Sequence, residues 1–218
     1  MDIENYTYIR SLFIKQGEKL QFRMGQSISD DKYLSGSVYF VEEGSARIIF
    51  KEGNKFKTIR KISTGSCVGA VSLIRSFPCE NIRASTELLA YKISDQEFFS
   101  LYKNDSKFKE YFDSNIYESE VIHLADYLGK NLISKYESLV DLFKDLKSSF
   151  RTIFCDSKEI IELIKYKNKK IYLAQKIEGF EFYSLIDNQN KANQLFKNFD
   201  ENKKIRIISV EHDINIQS

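Results

Sequence analysis

The sequence predicts an α+β chain. It should hold an N-terminal antiparallel β-roll, jelly-roll-like and flanked by helices, then a long helical segment, then a small C-terminal α+β piece. Three observations carry this. Seven of the nine glycines (Gly17, Gly25, Gly36, Gly44, Gly53, Gly65 and Gly69) fall in the first 69 residues and punctuate β-rich runs at short intervals. From Val121 a stripe of apolar residues recurs every three or four positions, through Ala125, Leu128, Leu132, Tyr136, Leu139, Phe143 and Leu146 to Phe150. After Arg151, β-like and helix-like segments alternate without a Gly-, Ser- or Pro-rich linker before them. The corresponding boundaries are 1–105 for the roll, 106–150 for a helical connector and 151–218 for the last piece.

Taken in order, Tyr6 to Lys15 has helical spacing, and "KLQFRMGQSIS" is strand-like and ends in a turn. "SVYFVEEGSARIIF" is two β runs split by Gly44, and "KEGNKFKTIRKIS" places a hairpin turn at Glu52-Gly53-Asn54, because Gly and Asn tolerate positive φ. "ENIRASTELLAYKIS" resumes the strand pattern and should carry Arg83 on the roll's final strand. Ser94 with Glu97 three residues on is a capping box that starts a helix. Asp156 is the N-cap expected ahead of "SKEIIELIKY"; "KKIYLAQKI" and "KKIRIISVE" read as strands, and "QNKANQLFKNF" as a helix. The stripe from 121 to 150 either packs inside the molecule or forms a seam with a second copy or a neighbouring domain. Phe40, Phe50, Phe56, Tyr91, Phe98 and Phe99 are expected in the core of the roll, Cys67 buried and inert, and Asp30-Asp31 in a solvated turn.

Composition excludes several function classes. A net charge of +2, from 33 Lys and Arg against 31 Asp and Glu, gives no drive toward nucleic acid or acidic membranes. No apolar run is long enough to span a bilayer, and "MDIENYTYIR" lacks the basic and apolar regions of a signal peptide, so a cytoplasmic location is expected. Three cysteines and two histidines, spaced unlike metal ligands, predict no zinc site and fit a reducing compartment. No motif places a nucleophile beside a base, and Cys155 and His123 have no catalytic context, so the chain is not expected to be an enzyme.

The stretch "STGSCVGAVSLIRSFPCENIRAST" carries the chemistry. It reads as a strand, a glycine, three residues, Gly69, and a short helix, and it holds the only proline, Pro78. The start of a helix leaves backbone N–H groups unpaired, so an anion can sit there if glycine lets the backbone approach. The candidate ligand-binding residues are Gly69, Ala70, Val71, Ser72, Arg75 and Cys79. The order of Gly25, Val38-Tyr39-Phe40-Val41 before Gly44, the turn at Gly53, Gly65-x-x-x-Gly69 and "RAST" resembles the cyclic nucleotide-binding domain, over about residues 10 to 125. The resemblance implies a regulatory β-roll whose phosphate-binding turn begins with Gly-Glu and has an arginine about ten residues later. Here Ala70 stands at the glutamate position, Pro78 at the arginine position and Cys79 at the small hydroxyl after it. Arg75 is the candidate substitute. Losing two charge-assisted bonds, at ~1.5–3 kcal/mol each, weakens binding by roughly 10²- to 10⁴-fold, so cyclic nucleotide binding should be weak or lost.

A narrower resemblance runs through Ser72, Leu73, Arg75, Pro78, Cys79, Glu80, Ala84, Ser85, Thr86, Glu87 and Phe98. This segment is similar to the N-terminal regulatory region of cyanobacterial toxin- or peptide-secretion ABC transporters. The resemblance implies a sensor module whose partners are transporter domains, or a second copy through 121–150, with no nucleic acid and no insertion of this chain in the membrane. The alternative is a transcription regulator of the catabolite-activator (Crp/Fnr) type, which should show a helix-turn-helix after about residue 145; "KIYLAQKIEGFEFYSLID" stands there instead.

Overall fold

In a computed structural model, the structure of the protein is described for residues 3–52, 54–115, 117–129, 143, 146, 149–166, 168–197, 199 and 204–211. The chain divides into two compact units, Met1–Ser119 and Glu120–Ser218. The fold is α+β and its sheets are antiparallel.

The first unit opens with helix α1 (Ile3–Gln16) and continues as β1 (Glu18–Phe22), β2 (Ser27–Ser29), β3 (Ser37–Glu43), β4 (Ser45–Glu52), β5 (Lys55–Ser63) and β6 (Cys67–Val68). The short helix α2 (Ala70–Ile74) follows, then β7 (Ile82–Ala84), β8 (Leu88–Ser94), α3 (Asp95–Asn104) and α4 (Ser106–Ser114). Two four-stranded sheets, in the orders β1-β8-β3-β6 and β2-β7-β4-β5, make the roll. Alternate residues of both sheets fill the space between them: Phe22, Val41, Val68, Leu88 and Ala90 from the first, and Ile28, Ala46, Ile48, Ile62, Ile82 and Ala84 from the second. β4 and β5 pair down to Glu52 with Lys55, which fits the expected hairpin; residue 53 lies outside the described residues. The capping box of Ser94 and Glu97 starts α3, and Asp105 caps α4. Phe98, Phe108 and Phe112 pack as rings 4.7–5.5 Å apart, and Phe13 of α1 meets Phe40 of β3 at 5.8 Å.

Several expectations are corrected here. Phe56 and Phe99 are not core residues: they are 57% and 43% exposed. Phe56 sits near the hairpin end of β5, opposite Lys51 of β4, and Phe99 packs against Phe98, ring to ring at 5.6 Å. Cys67 is half-buried rather than enclosed. Arg83 lies on β7, not on the last strand of the roll, because "RAST" breaks into a turn: the amides of Ser85 and Thr86 donate to the Ser45 carbonyl, and the Thr86 hydroxyl accepts from the Ser45 amide.

Helix α5 (Glu118–Gly129) holds the division between the units. Val121, Ala125 and Leu128 of the predicted stripe are buried on it, and Leu132, Tyr136 and Leu139 lie outside the described residues. Phe150 does not end a helix. It opens strand β9 (Phe150–Cys155), where the run Phe-Arg-Thr-Ile-Phe-Cys alternates at the period of a strand and Phe150 pairs with Val210. In the second unit, β9 is followed by α6 (Ser157–Ile164), β10 (Lys169–Leu173), α7 (Gln189–Lys197) and β11 (Ile205–Glu211), with sheet order β10-β11-β9. Asp156 and Glu159 form a second capping box. Ile160, Leu195, Phe196, Ile171 and Ile207 form its core.

Glu120 and Arg206, both 0% exposed, join through two bonds, Nε to Oε1 at 2.8 Å and Nη2 to Oε2 at 2.7 Å. The guanidinium also lies over the Phe154 ring. A forked pair buried this deeply loses heavily when one half is removed, because the other keeps its charge without water. Glu120→Ala is expected to lower the stability of the second unit by about 3–5 kcal/mol in urea unfolding. A loss under about 1 kcal/mol would show that the pair carries no such weight.

Candidate functional site

The site is built on the turn that joins β6 to β7. Gly69 has φ of 91°, in the left-handed region, and a Cβ there would lie 2.6 Å from the Ser37 carbonyl oxygen of β3. Glycine therefore answers two demands at once, a strained dihedral and close backbone contact with the neighbouring strand. Ala70 to Ile74 then form just over one turn of helix, fully enclosed. Its far end is a Schellman arrangement: the Phe77 amide donates to the Ser72 carbonyl and the Ser76 amide to that of Leu73, with Ser76 itself at φ 53°.

The near end is closed by Glu80. Its Oε1 accepts from the Gly69 amide at 3.1 Å, and its Oε2 from the Ser72 amide at 3.2 Å and the Ser72 hydroxyl at 3.0 Å. The Ser72 hydroxyl in turn accepts from the Cys79 amide at 3.2 Å. In an ordinary capping box two side chains share this task, one serving the amide of the third helical residue and one the amide of the cap residue. Gly69 has no side chain, so a single carboxylate reaching back 11 residues does both. Glu80 is 3% exposed. A negative charge so placed is held by donors aimed at it and by the helix dipole.

Above this turn the first unit encloses a cavity of about 610 Å³. The inner faces of β4, β5 and β7 supply Ile48, Ile62 and Ile82, the segment 63–68 supplies one rim, and the end of α4 with the start of α5 supplies Tyr111, Tyr117 and Glu118. Among the described residues, its charged lining is Arg60, Glu80 and Glu118. Arg60 Nη1 donates to Glu118 Oε2 at 2.7 Å, and both residues line the cavity. Burial pushes the Cys67 thiol and the Tyr111 hydroxyl well above their ordinary pKa, so neither ionises near neutrality.

The structure brings Gly69, Ala70, Val71, Ser72, Arg75 and Cys79 together around α2, yet none of them is on the cavity lining. Arg75 caps the C-terminal end of α2 and its side chain is 0% exposed. Ala70 is enclosed, and Pro78 offers no N–H. Sequence reasoning missed the role of Glu80 and the pairing of Arg60 with Glu118. The first leaves a faint trace, an acid among apolar neighbours. The second joins residues 58 apart, for which a single sequence holds no signal.

Gly69→Ala should lower the stability of the first unit by at least about 2 kcal/mol, from the left-handed dihedral and the contact with Ser37. Ser76→Gly should raise it by about 0.5–1 kcal/mol, seen as a melting temperature higher by roughly 2–4 °C. An unchanged or lower melting temperature for Ser76→Gly would show that the turn is not strained as described.

Residues 19–105 match the cyclic nucleotide-binding domain family. No curated protein matches the sequence. Among solved structures, the chain is similar to a cyclic nucleotide-binding-like protein of Brucella abortus, with 20% identity over 43% of this chain and 82% of that one and a TM-score of 0.38. It is similar to the catabolite activator protein of Thermus thermophilus, with 15% identity over 66% and 78% of the two chains and a TM-score of 0.43. It is also similar to a cyclic nucleotide-binding domain of Methylobacillus flagellatus, with 16% identity over 64% and 77% and a TM-score of 0.44. It is from β1 through α3, residues 19–105, that the sequence matches the cyclic nucleotide-binding domain.

Proposed function

We propose that the chain is a non-catalytic sensor module, cytoplasmic, in which the first unit holds a small molecule. The observation that carries this reading is the cavity of about 610 Å³ in the first unit, lined partly by the segment 19–105 that matches the cyclic nucleotide-binding domain and partly by residues before and after it, among them Tyr6, Tyr111 and Glu118. Arg60 and Glu118 pair on its lining, and Glu118 is the first residue of α5. A ligand that alters this pair acts at the root of a helix, which is where a regulatory signal can leave the roll. The lining favours binding over chemistry, since burial keeps the Cys67 thiol and the Tyr111 hydroxyl protonated.

The module serves an ABC-type peptide or toxin exporter. Support comes from the segment that resembles the regulatory regions of such exporters, because three of its residues, Ser72, Cys79 and Glu80, form the hydrogen-bonded closure of α2. Part of the resemblance thus falls on one hydrogen-bonded structural unit. No described helix is long and apolar enough to cross a membrane, so the membrane part would belong to a partner or to another segment. A regulator of the catabolite-activator type is the weaker reading: α6 and α7 are separated by β10, and no helix-turn-helix occurs among the described residues.

Thermal-shift and hydrogen-exchange measurements with cyclic mono- and dinucleotides and uncharged nucleosides test the module. Binding should slow exchange in 60–68 and 111–119, and micromolar cyclic AMP should move the melting temperature by under about 1 °C. Turnover of any of these compounds would contradict the non-catalytic reading. The exporter assignment predicts membrane-spanning and P-loop ATPase segments encoded on the same transcript. Sequence-specific DNA binding by the purified chain would contradict it.

A further inference from the structure

We propose that Glu80 sets what the cavity accepts: its carboxylate is a built-in anion that takes the backbone donors at the start of α2, so the cavity excludes phosphate-bearing ligands and takes an uncharged polar one. The inference rests on reading the first unit as a ligand-holding module, but not on which signal it passes.

Glu80 stands in two places at once. Its oxygens meet the Gly69 and Ser72 amides and the Ser72 hydroxyl at 3.0–3.2 Å, and the residue also lines the cavity. A ligand phosphate seeking those donors would have to displace a tethered carboxylate, whose effective concentration no free ligand matches cheaply. If the carboxylate stayed, two negative charges would face each other at the cavity wall. Arg60, the one cation on the described lining, is already 2.7 Å from Glu118. Arg75 is fully enclosed and off the lining, and position 78 is proline. What remains facing the cavity are neutral polar side chains, among them Ser66, Asn115 and Ser119, over an apolar floor of Ile48, Ile62 and Ile82. Hydroxyl and amide groups over isoleucines suit an uncharged polar molecule.

The test removes the carboxylate and offers it back. The full chain carrying Glu80→Ala is melted in sodium chloride and in sodium formate of equal ionic strength, beside the wild type and Glu80→Gln. In chloride, Glu80→Ala should melt roughly 5–10 °C below the wild type. Formate should recover at least half of that loss, because a small carboxylate fits the space and finds the same donors. The wild type should move by no more than about 1 °C between the salts, and Glu80→Gln, which fills the space with an amide, should not recover. Formate that raises no variant, or all three equally, overturns the proposal. If Glu80→Ala folds in neither salt, Glu80→Asp, which keeps the charge one methylene short, is judged by the same criterion. In a second arm, cyclic AMP and adenosine are titrated into the wild-type chain by calorimetry. Binding of cyclic AMP tighter than about 100 µM overturns the proposal and leaves the sensor reading standing. Formate recovery supports the proposal even if no small molecule protects the cavity, an outcome that counts against the sensor reading alone.

Discussion

A carboxylate held by the amides of Gly69 and Ser72 fixes the turn between β6 and β7, and the rest of the first unit is arranged around that turn. The helix it closes is only five residues long, too short to persist by its own hydrogen bonds. It exists because both ends are tied: Glu80 at one, the Ser76 turn at the other, with Ser72 serving both. Ser72 is the link, since its amide and hydroxyl meet Glu80 while its carbonyl receives the Phe77 amide and its hydroxyl the Cys79 amide. Enclosed on all sides, this unit can bury a negative charge because every oxygen of that charge is matched by a donor.

The two sheets of the roll supply a rigid frame, with small residues, Ala46, Ala84 and Ala90, beside large ones so that the layers interlock. Because the core ends at Ile48, Ile62 and Ile82, space is left below α4 and the first turn of α5. The amides at the start of α2 are satisfied internally, by Glu80. Glu80, which closes this turn, also places a carboxylate on the cavity lining.

Much of this was legible from residues alone. Both capping boxes, Ser94 with Glu97 and Asp156 with Glu159, are local patterns and fold as local patterns do. The hairpin joining β4 to β5 and the division of the strands by Gly44 follow from turn chemistry. Phe56 and Phe99 misled because aromatic character says that a residue suits a strand or a core, not which face it takes, and both are exposed. Phe150 continued a helical spacing by coincidence, while its own neighbours carried a strand period. The absence of charge at Ala70 and Pro78 was visible; its replacement by Glu80 was not. Capping is ordinarily sought just before a helix, and this cap arrives from beyond the helix's far end, through a fold that must already exist.

The claim that decides the account is that the Glu80 carboxylate, and no external group, holds the Gly69 and Ser72 amides in solution. Scalar coupling across hydrogen bonds, measured by NMR on isotope-labelled protein without ligand, reads this directly. Cross-peaks from both amide nitrogens to the Glu80 side-chain carboxyl carbon, unchanged on adding millimolar cyclic AMP, are the predicted result. Amides with no coupling to Glu80, or couplings that vanish as cyclic AMP is added, would contradict it.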